Sequence, residues 1–119
     1  MAYENLSKDT LERLYYLGLL ERSDGSIVTY AGTVGSAGES FVISPAAGKR
    51  VEILWVYALT DPDSATSPLI TIKLGGTAIY SVYAIAHTQV FRGPVNGSVS
   101  VTLSEAATVA VTIHYKETV

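Results

Sequence analysis

Twelve consecutive residues, Lys49 to Thr60 (KRVEILWVYALT), restrict what this 119-residue chain can fold into more than any other stretch. The odd positions Val51, Ile53, Trp55, Tyr57 and Leu59 are large and apolar, and Leu54, Val56 and Ala58 between them are apolar too. A β-branched and aromatic run with two apolar faces reads as a long strand at the centre of an all-β fold. One face is expected to meet the core of a sandwich, the other an extra layer or a neighbouring subunit. This strand carries the only Trp of the chain and is expected to anchor the core.

Shorter strands surround it. Ile27–Tyr30 and Phe41–Ile43 come before, separated by Ala31 to Gly38, whose three glycines in eight residues suggest a flexible connection. Those glycines fit neither phosphate-loop pattern, and no helix signal follows them. After Thr60, a polar loop over Asp61–Pro68 holds the carboxylates Asp61 and Asp63 and the prolines Pro62 and Pro68. Two carboxylates are too few for a calcium loop of the EF-hand type, so a solvated turn is expected. From Leu69 the alternation is plain, with Ile70, Ile72 and Leu74 on one side and Thr71 and Lys73 on the other. Gly75-Gly76 predicts a hairpin turn of the primed type, with a return over Thr77–Ala84. A short strand over Thr88–Arg92, a turn at Gly93–Gly97 and two alternating strands complete the chain. In those two, Val99, Val101 and Leu103, then Val109, Val111, Ile113 and Tyr115, share a face. The total of about eight strands suits an eight-stranded, jelly-roll-like sandwich over residues 23–119. An immunoglobulin-like order is the alternative, without the Cys and Trp pattern of true immunoglobulin domains.

Residues 1–22 form a separate arm. Leu6 and Leu11 are placed as a hydrophobic staple, Ser7 as a cap and Asp9 at the positive end of the dipole, which predicts a short helix over Lys8–Leu17. Leu11, Leu14 and Tyr15 line one side, and Gly18 ends it. Tyr16, Leu19 and Leu20 leave the other side apolar as well. Such an arm either lies on its own domain as a lid or docks on another chain.

Composition narrows the function classes. Eight Lys and Arg against eleven Asp and Glu give a net charge of -3. That balance, with no basic cluster beyond Lys49-Arg50, argues against nucleic acid and against an anionic membrane surface as partners. The absence of Cys removes disulfides, thiolate chemistry and Cys-based metal sites. No secretory signal is read at the start, and no apolar run approaches the about 18 residues of a membrane span. His87 and His114 are the general-base candidates at neutral pH, and neither has a nucleophile or metal partner in a nearby motif. Glu52, the one acid within a strongly apolar strand, is expected to pair with Lys49, Arg50 or Lys73. No catalytic, cofactor-binding or metal site is expected, and the chain is not read as an enzyme. Hydrophobic residues make up 48% and charged ones 16%, a balance suited to a surface partly hidden against partners.

Residues 48–115 carry a recurring pattern: GKRVEILWVYALT, then LITIKLGGTAIYS with its Gly-Gly-Thr-Ala-Ile hairpin, then GSVSVTL and VAVTIHY. This resembles the small β-sandwich proteins of tailed-phage virions, the capsid decoration (cement) and head-fibre proteins. The resemblance implies a sandwich seated on the outside of a capsid, made in the host cytoplasm and self-associating, most often as a trimer. Its partners would be its own copies and the major capsid protein. The interface residues expected for that role are Leu11, Leu14, Tyr15, Tyr16, Leu19 and Leu20 of the arm, with Tyr80 and Tyr83 of the sandwich. A carbohydrate- or receptor-binding module is the alternative, and eight Tyr and one Trp supply rings for it. Tyr57, Tyr80 and Tyr83 gathered on one exposed face would favour that alternative.

Overall fold

The computed structural model describes residues 26–119. The expected helix over Lys8–Leu17 lies outside them. Among the described residues the structure is all β: β1 Val28–Val34, β2 Gly38–Ile43, β3 Arg50–Thr60, β4 Ile70–Leu74, β5 Thr77–Val82, β6 Ile85–His87, β7 Phe91–Arg92, β8 Val99–Leu103 and β9 Val109–Thr118. They form two antiparallel sheets. The first has the order β1-β9-β3-β6, with β7 also pairing β3, and the second has the order β2-β8-β4-β5.

The two sheets share one core. Val51, Ile53, Val56, Ala58, Val109, Val111 and Ile113 come from the first sheet. Ile43, Ile70, Ile72, Leu74, Val99, Val101 and Leu103 come from the second. Every alternating set read from residue 70 onward is buried as expected, apart from Tyr115, which packs half-buried at the margin.

The central strand anchors this core, but not through Trp55. Between Ile53 and Trp55 the register against β9 slips, from Ile53↔Tyr115 to Trp55↔His114, leaving Leu54 as an extra residue. A bulge of this kind exchanges the two faces of a strand from that point on. Val51 and Ile53 therefore point inward before the bulge, and Val56 and Ala58 after it. Trp55, Tyr57 and Leu59 point outward. The odd positions are not one face, and part of the two-sided apolar character is this change of phase.

Two other expectations change. Ala31–Val34 is not a flexible connection, because β1 continues through it and pairs with β9 from Val28↔Tyr115 to Val34↔Val109. Gly32 is there to make room: a Cβ on it would collide with the hydroxyl end of the Tyr30 ring. Of the strand expected over Thr88–Arg92 only Phe91–Arg92 (β7) forms, and β6 comes before it at Ile85–His87; the two pair separate parts of β3.

Loops at each end are tied by hydrogen bonds. At one end Asp61 N donates to Thr108 O (2.7 Å), Thr108 N to Ser64 Oγ (2.8 Å), and Thr66 Oγ1 to Ala106 O (2.6 Å). Asp61 Oδ1 accepts from Asp63 N (2.9 Å), so this carboxylate closes its own turn. At the other end Gly75 N donates to Ser98 O (2.8 Å) and Asn96 N to Lys49 O (2.8 Å).

The β4–β5 hairpin shows the primed turn. Gly75 and Gly76 have φ of +60° and +84°, as that turn requires at both central positions. A methyl group on Gly75 would also strike the Pro94 ring, whereas one on Gly76 meets nothing within 4 Å. Gly76→Ala is expected to cost about 1 kcal/mol from backbone conformation alone. Gly75→Ala is expected to cost at least about 2 kcal/mol, because the 93–97 loop must move too. Urea unfolding of the two variants checks this, with the larger fall in midpoint at Gly75 and an unchanged slope.

Candidate functional site

Among the described residues the exposed large apolar side chains are Ile27, Val28, Phe41, Leu59, Val82, Tyr83, Val90, Val95 and Val119. Tyr83 is 66% exposed in the turn between β5 and β6, directly after Val82. β6 pairs β3 through Ala58↔Ile85, so continuing that register brings the Tyr83–Ala84 turn alongside Leu59. Leu59 is 42% exposed on the outer side of β3. Leu59, Val82 and Tyr83 are thus exposed apolar side chains along the rim where the chain crosses from the second sheet to the first. Phe41 is 67% exposed on β2, at the free edge of the second sheet. Beside it the outer face of that sheet is polar, with Ser100 Oγ donating to Glu39 Oε2 (2.8 Å) and Lys73 Nζ 3.8 Å from the same carboxylate oxygen.

The outer face of the first sheet has a different character. Trp55 and Tyr57 stack with ring centroids 6.0 Å apart and planes 14° from parallel, and His114 tilts onto Trp55 at 5.0 Å. Toward the start of β3, Glu52 lies opposite both Lys116 of β9 and Arg92 of β7, and Arg50 lies opposite Thr118. The cross-strand neighbours of Glu52 are therefore not Lys49, Arg50 or Lys73. β9 and β7 flank β3, and Lys73 belongs to the other sheet. Glu52 and Lys116 are 5% and 2% exposed.

Of the expected interface residues, Tyr83 is placed openly on the rim. Tyr80 is half-buried between the sheets, edge-on to His87 (5.7 Å) and to Phe91 (5.4 Å). Its hydroxyl lies 2.9 Å from His87 Nδ1. This cluster joins β5 of the second sheet to β6 and β7 of the first. Leu11, Leu14, Tyr15, Tyr16, Leu19 and Leu20 lie outside the described residues. Phe41 and Leu59 were not singled out from the sequence. Leu59 carried no usable signal, since only the bulge in β3 turns it outward and nothing local marks that bulge. Phe41 shares its face with Glu39, a weak sign of exposure.

Burial pushes the Tyr80 phenol above its ordinary value, and burial followed by the nearby Glu117 charge does the same for Tyr115. A raised pKa in the folded state favours the neutral phenol there. Its contribution to stability is complete below the ordinary Tyr pKa of 10.0 and is lost as pH rises through the raised value. Thermal unfolding between pH 8 and 11 is expected to show a midpoint that declines only above about pH 10. The decline is expected to be shallower in a Tyr80→Phe, Tyr115→Phe variant.

No known family and no curated protein matches this chain. Among solved structures it is similar to a chain of the "Cyanophage Pam1 capsid asymmetric unit", with a TM-score of 0.42 and 19% identity over 82% of this chain and 89% of that one.

Proposed function

We propose that this chain is a virion structural protein, a capsid decoration protein that binds the outside of an assembled phage head and stabilises it. The observation that carries this reading is the exposure of three large apolar side chains, Leu59, Val82 and Tyr83, near the crossing from the second sheet to the first. Apolar side chains clustered at an edge suit burial against another protein surface. In this reading the domain of residues 23–119 self-associates as a trimer, and the arm of residues 1–22 completes its contacts. The chain acts by contact and not by catalysis. Because it binds the assembled lattice in preference to free capsid subunits, it stabilises the lattice by mass action.

The strand order supports a jelly-roll sandwich. Four antiparallel pairs, β1–β9, β2–β8, β3–β6 and β4–β5, nest one inside the next along the chain. A single two-stranded ribbon rolled up on itself gives this nesting, and the pairings β9–β3 and β8–β4 close its two sheets.

Co-sedimentation with purified capsids tests the function. The full chain is expected to pellet with intact capsids and to raise their disassembly temperature. Tyr83→Ser is expected to weaken binding about tenfold or more, the effect of losing an aromatic anchor. A chain that stays in the supernatant at every capsid concentration would overturn the reading.

The stacked Trp55–Tyr57 pair favours a second reading, a carbohydrate-binding face. Against it, Tyr57, Tyr80 and Tyr83 point to three different places. Trp55 fluorescence titrated with oligosaccharides separates the two readings: a saturable change would support the module, and a flat response the decoration protein.

A further inference from the structure

The turn that carries β7 into β8 holds Asn96-Gly97, the only Asn-Gly pair of the chain. Each member has a structural reason to be there. Asn96 is the one non-glycine with positive φ (63°) among the described residues, and Asn tolerates that region better than most side chains. Gly97 is packed from two sides, since a Cβ on it would lie 2.8 Å from Pro94 Cγ and 3.1 Å from Gly75 Cα. The turn thus joins a side-chain amide to a main-chain nitrogen that no Cβ shields. Asn96 is exposed, so water and hydroxide reach it.

Such a pair can react with itself. Hydroxide takes the proton of Gly97 N–H, and the nitrogen attacks Asn96 Cγ. The bond from Gly97 N to Cγ forms and the bond from Cγ to Nδ2 breaks. Nδ2 takes a proton from water and leaves as ammonia, which restores the hydroxide and closes a cyclic imide. Water then opens the ring at Cγ, giving aspartate, or at the main-chain carbonyl carbon, giving isoaspartate.

In the folded chain three hydrogen bonds oppose the first step. Gly97 N donates to Pro94 O (3.0 Å), Asn96 Oδ1 accepts from Gly48 N (2.7 Å), and Asn96 N donates to Lys49 O (2.8 Å). The first engages the attacking N–H, the second ties the amide to another loop, and the third fixes the main chain between them. Bringing Gly97 N to Cγ requires rotation about the main chain and side chain of Asn96, which breaks the first two. The reaction therefore waits for the turn to open.

We propose that Asn96 is a deamidation site held inert by the fold, reacting only when residues 93–97 separate from residues 46–49. The two products differ in consequence. Aspartate keeps an oxygen to accept from Gly48 N and still tolerates positive φ, so that product refolds. Isoaspartate carries the main chain through the side-chain carbon, one atom longer, and the bonds to Lys49 and Pro94 cannot both re-form. Time spent unfolded at alkaline pH thus removes chains from the native fold for good. This inference concerns the chain alone and does not depend on the capsid reading.

Peptide mapping of the full chain by mass spectrometry, after incubation at mildly alkaline pH with and without concentrated urea, tests it. Asn96 is expected to convert to aspartate and isoaspartate in urea, and at least about tenfold more slowly in the native state, with three hydrogen bonds to break first. Equal rates in the two states, or no conversion in urea, would overturn the proposal. Two variants separate opening of the turn from general loss of stability. A methyl group at position 75 strikes the Pro94 ring, and one at position 76 meets nothing within 4 Å. Under conditions where both remain folded, Gly75→Ala is expected to raise the native rate about fivefold or more, and Gly76→Ala to leave it within about twofold. Equal acceleration by both would place the reaction in the globally unfolded chain and overturn the role of the turn.

Discussion

Inserting one alanine between Trp55 and Val56 is expected to leave little or no stably folded protein. The register against β9 already slips by one residue at Leu54, which sets Val51 and Ile53 inward before it and Val56 and Ala58 inward after it. One further residue drives Tyr57 and Leu59 toward seats shaped for Val56 and Ala58, and it turns those two outward. Overpacking and lost burial together are expected to cost on the order of 5 kcal/mol, comparable to the whole stability of a small domain. Deleting Leu54 keeps the native faces, because Ile53 and Trp55 stand opposite the consecutive residues Tyr115 and His114. It loses only a half-buried side chain, so about 1 kcal/mol is expected. Guanidinium unfolding followed by Trp55 fluorescence compares the two. An insertion variant as stable as the deletion variant would show that the register does not set the faces of β3.

Ile113→Ala is expected to be the most damaging simple truncation. Ile113 is fully buried in β9, the strand flanked on both sides, and stands opposite Tyr30 of β1 and Val56 of β3. Neighbours fixed in two ladders cannot collapse into the space, so a cost of about 3 to 4 kcal/mol is expected. For a domain of this size that lowers the thermal midpoint by roughly 15 °C or more. Thr112→Ala, one residue away on the outer face, is expected to change it by no more than a few degrees. Calorimetry of the pair checks the assignment of faces along β9.

Much of the fold was legible because period-two alternation survives wherever a strand is regular. Ile70, Ile72 and Leu74, then Val99, Val101 and Leu103, then Val109, Val111 and Ile113 could be read directly as inward faces. The Gly75-Gly76 turn could be read as well, since positive φ at two successive residues has an almost unique sequence signature. β3 resisted because its bulge is created by pairing with β9, over 50 residues away, and leaves no local mark. Gly32 misled for a related reason. A glycine that admits a neighbouring ring and a glycine that makes a loop look alike in sequence.

The candidate site was legible only in part. Tyr83 could be picked out as a ring beside a turn, but its rim partner Leu59 depends on the bulge. The charged face was hidden further still. Arg50, Glu52, Arg92 and Lys116 are scattered over three strands, and only the register of β7, β3 and β9 brings them together.

Sedimentation velocity of the full chain over a concentration series, alone and with intact capsids, tests most directly whether this domain works by burying its apolar rim against other protein. A species near three times the 12.6 kDa chain mass at micromolar concentration, and co-migration with the capsid boundary, is the predicted result. A particle of one chain mass at every concentration, with no material travelling with capsids, would contradict it.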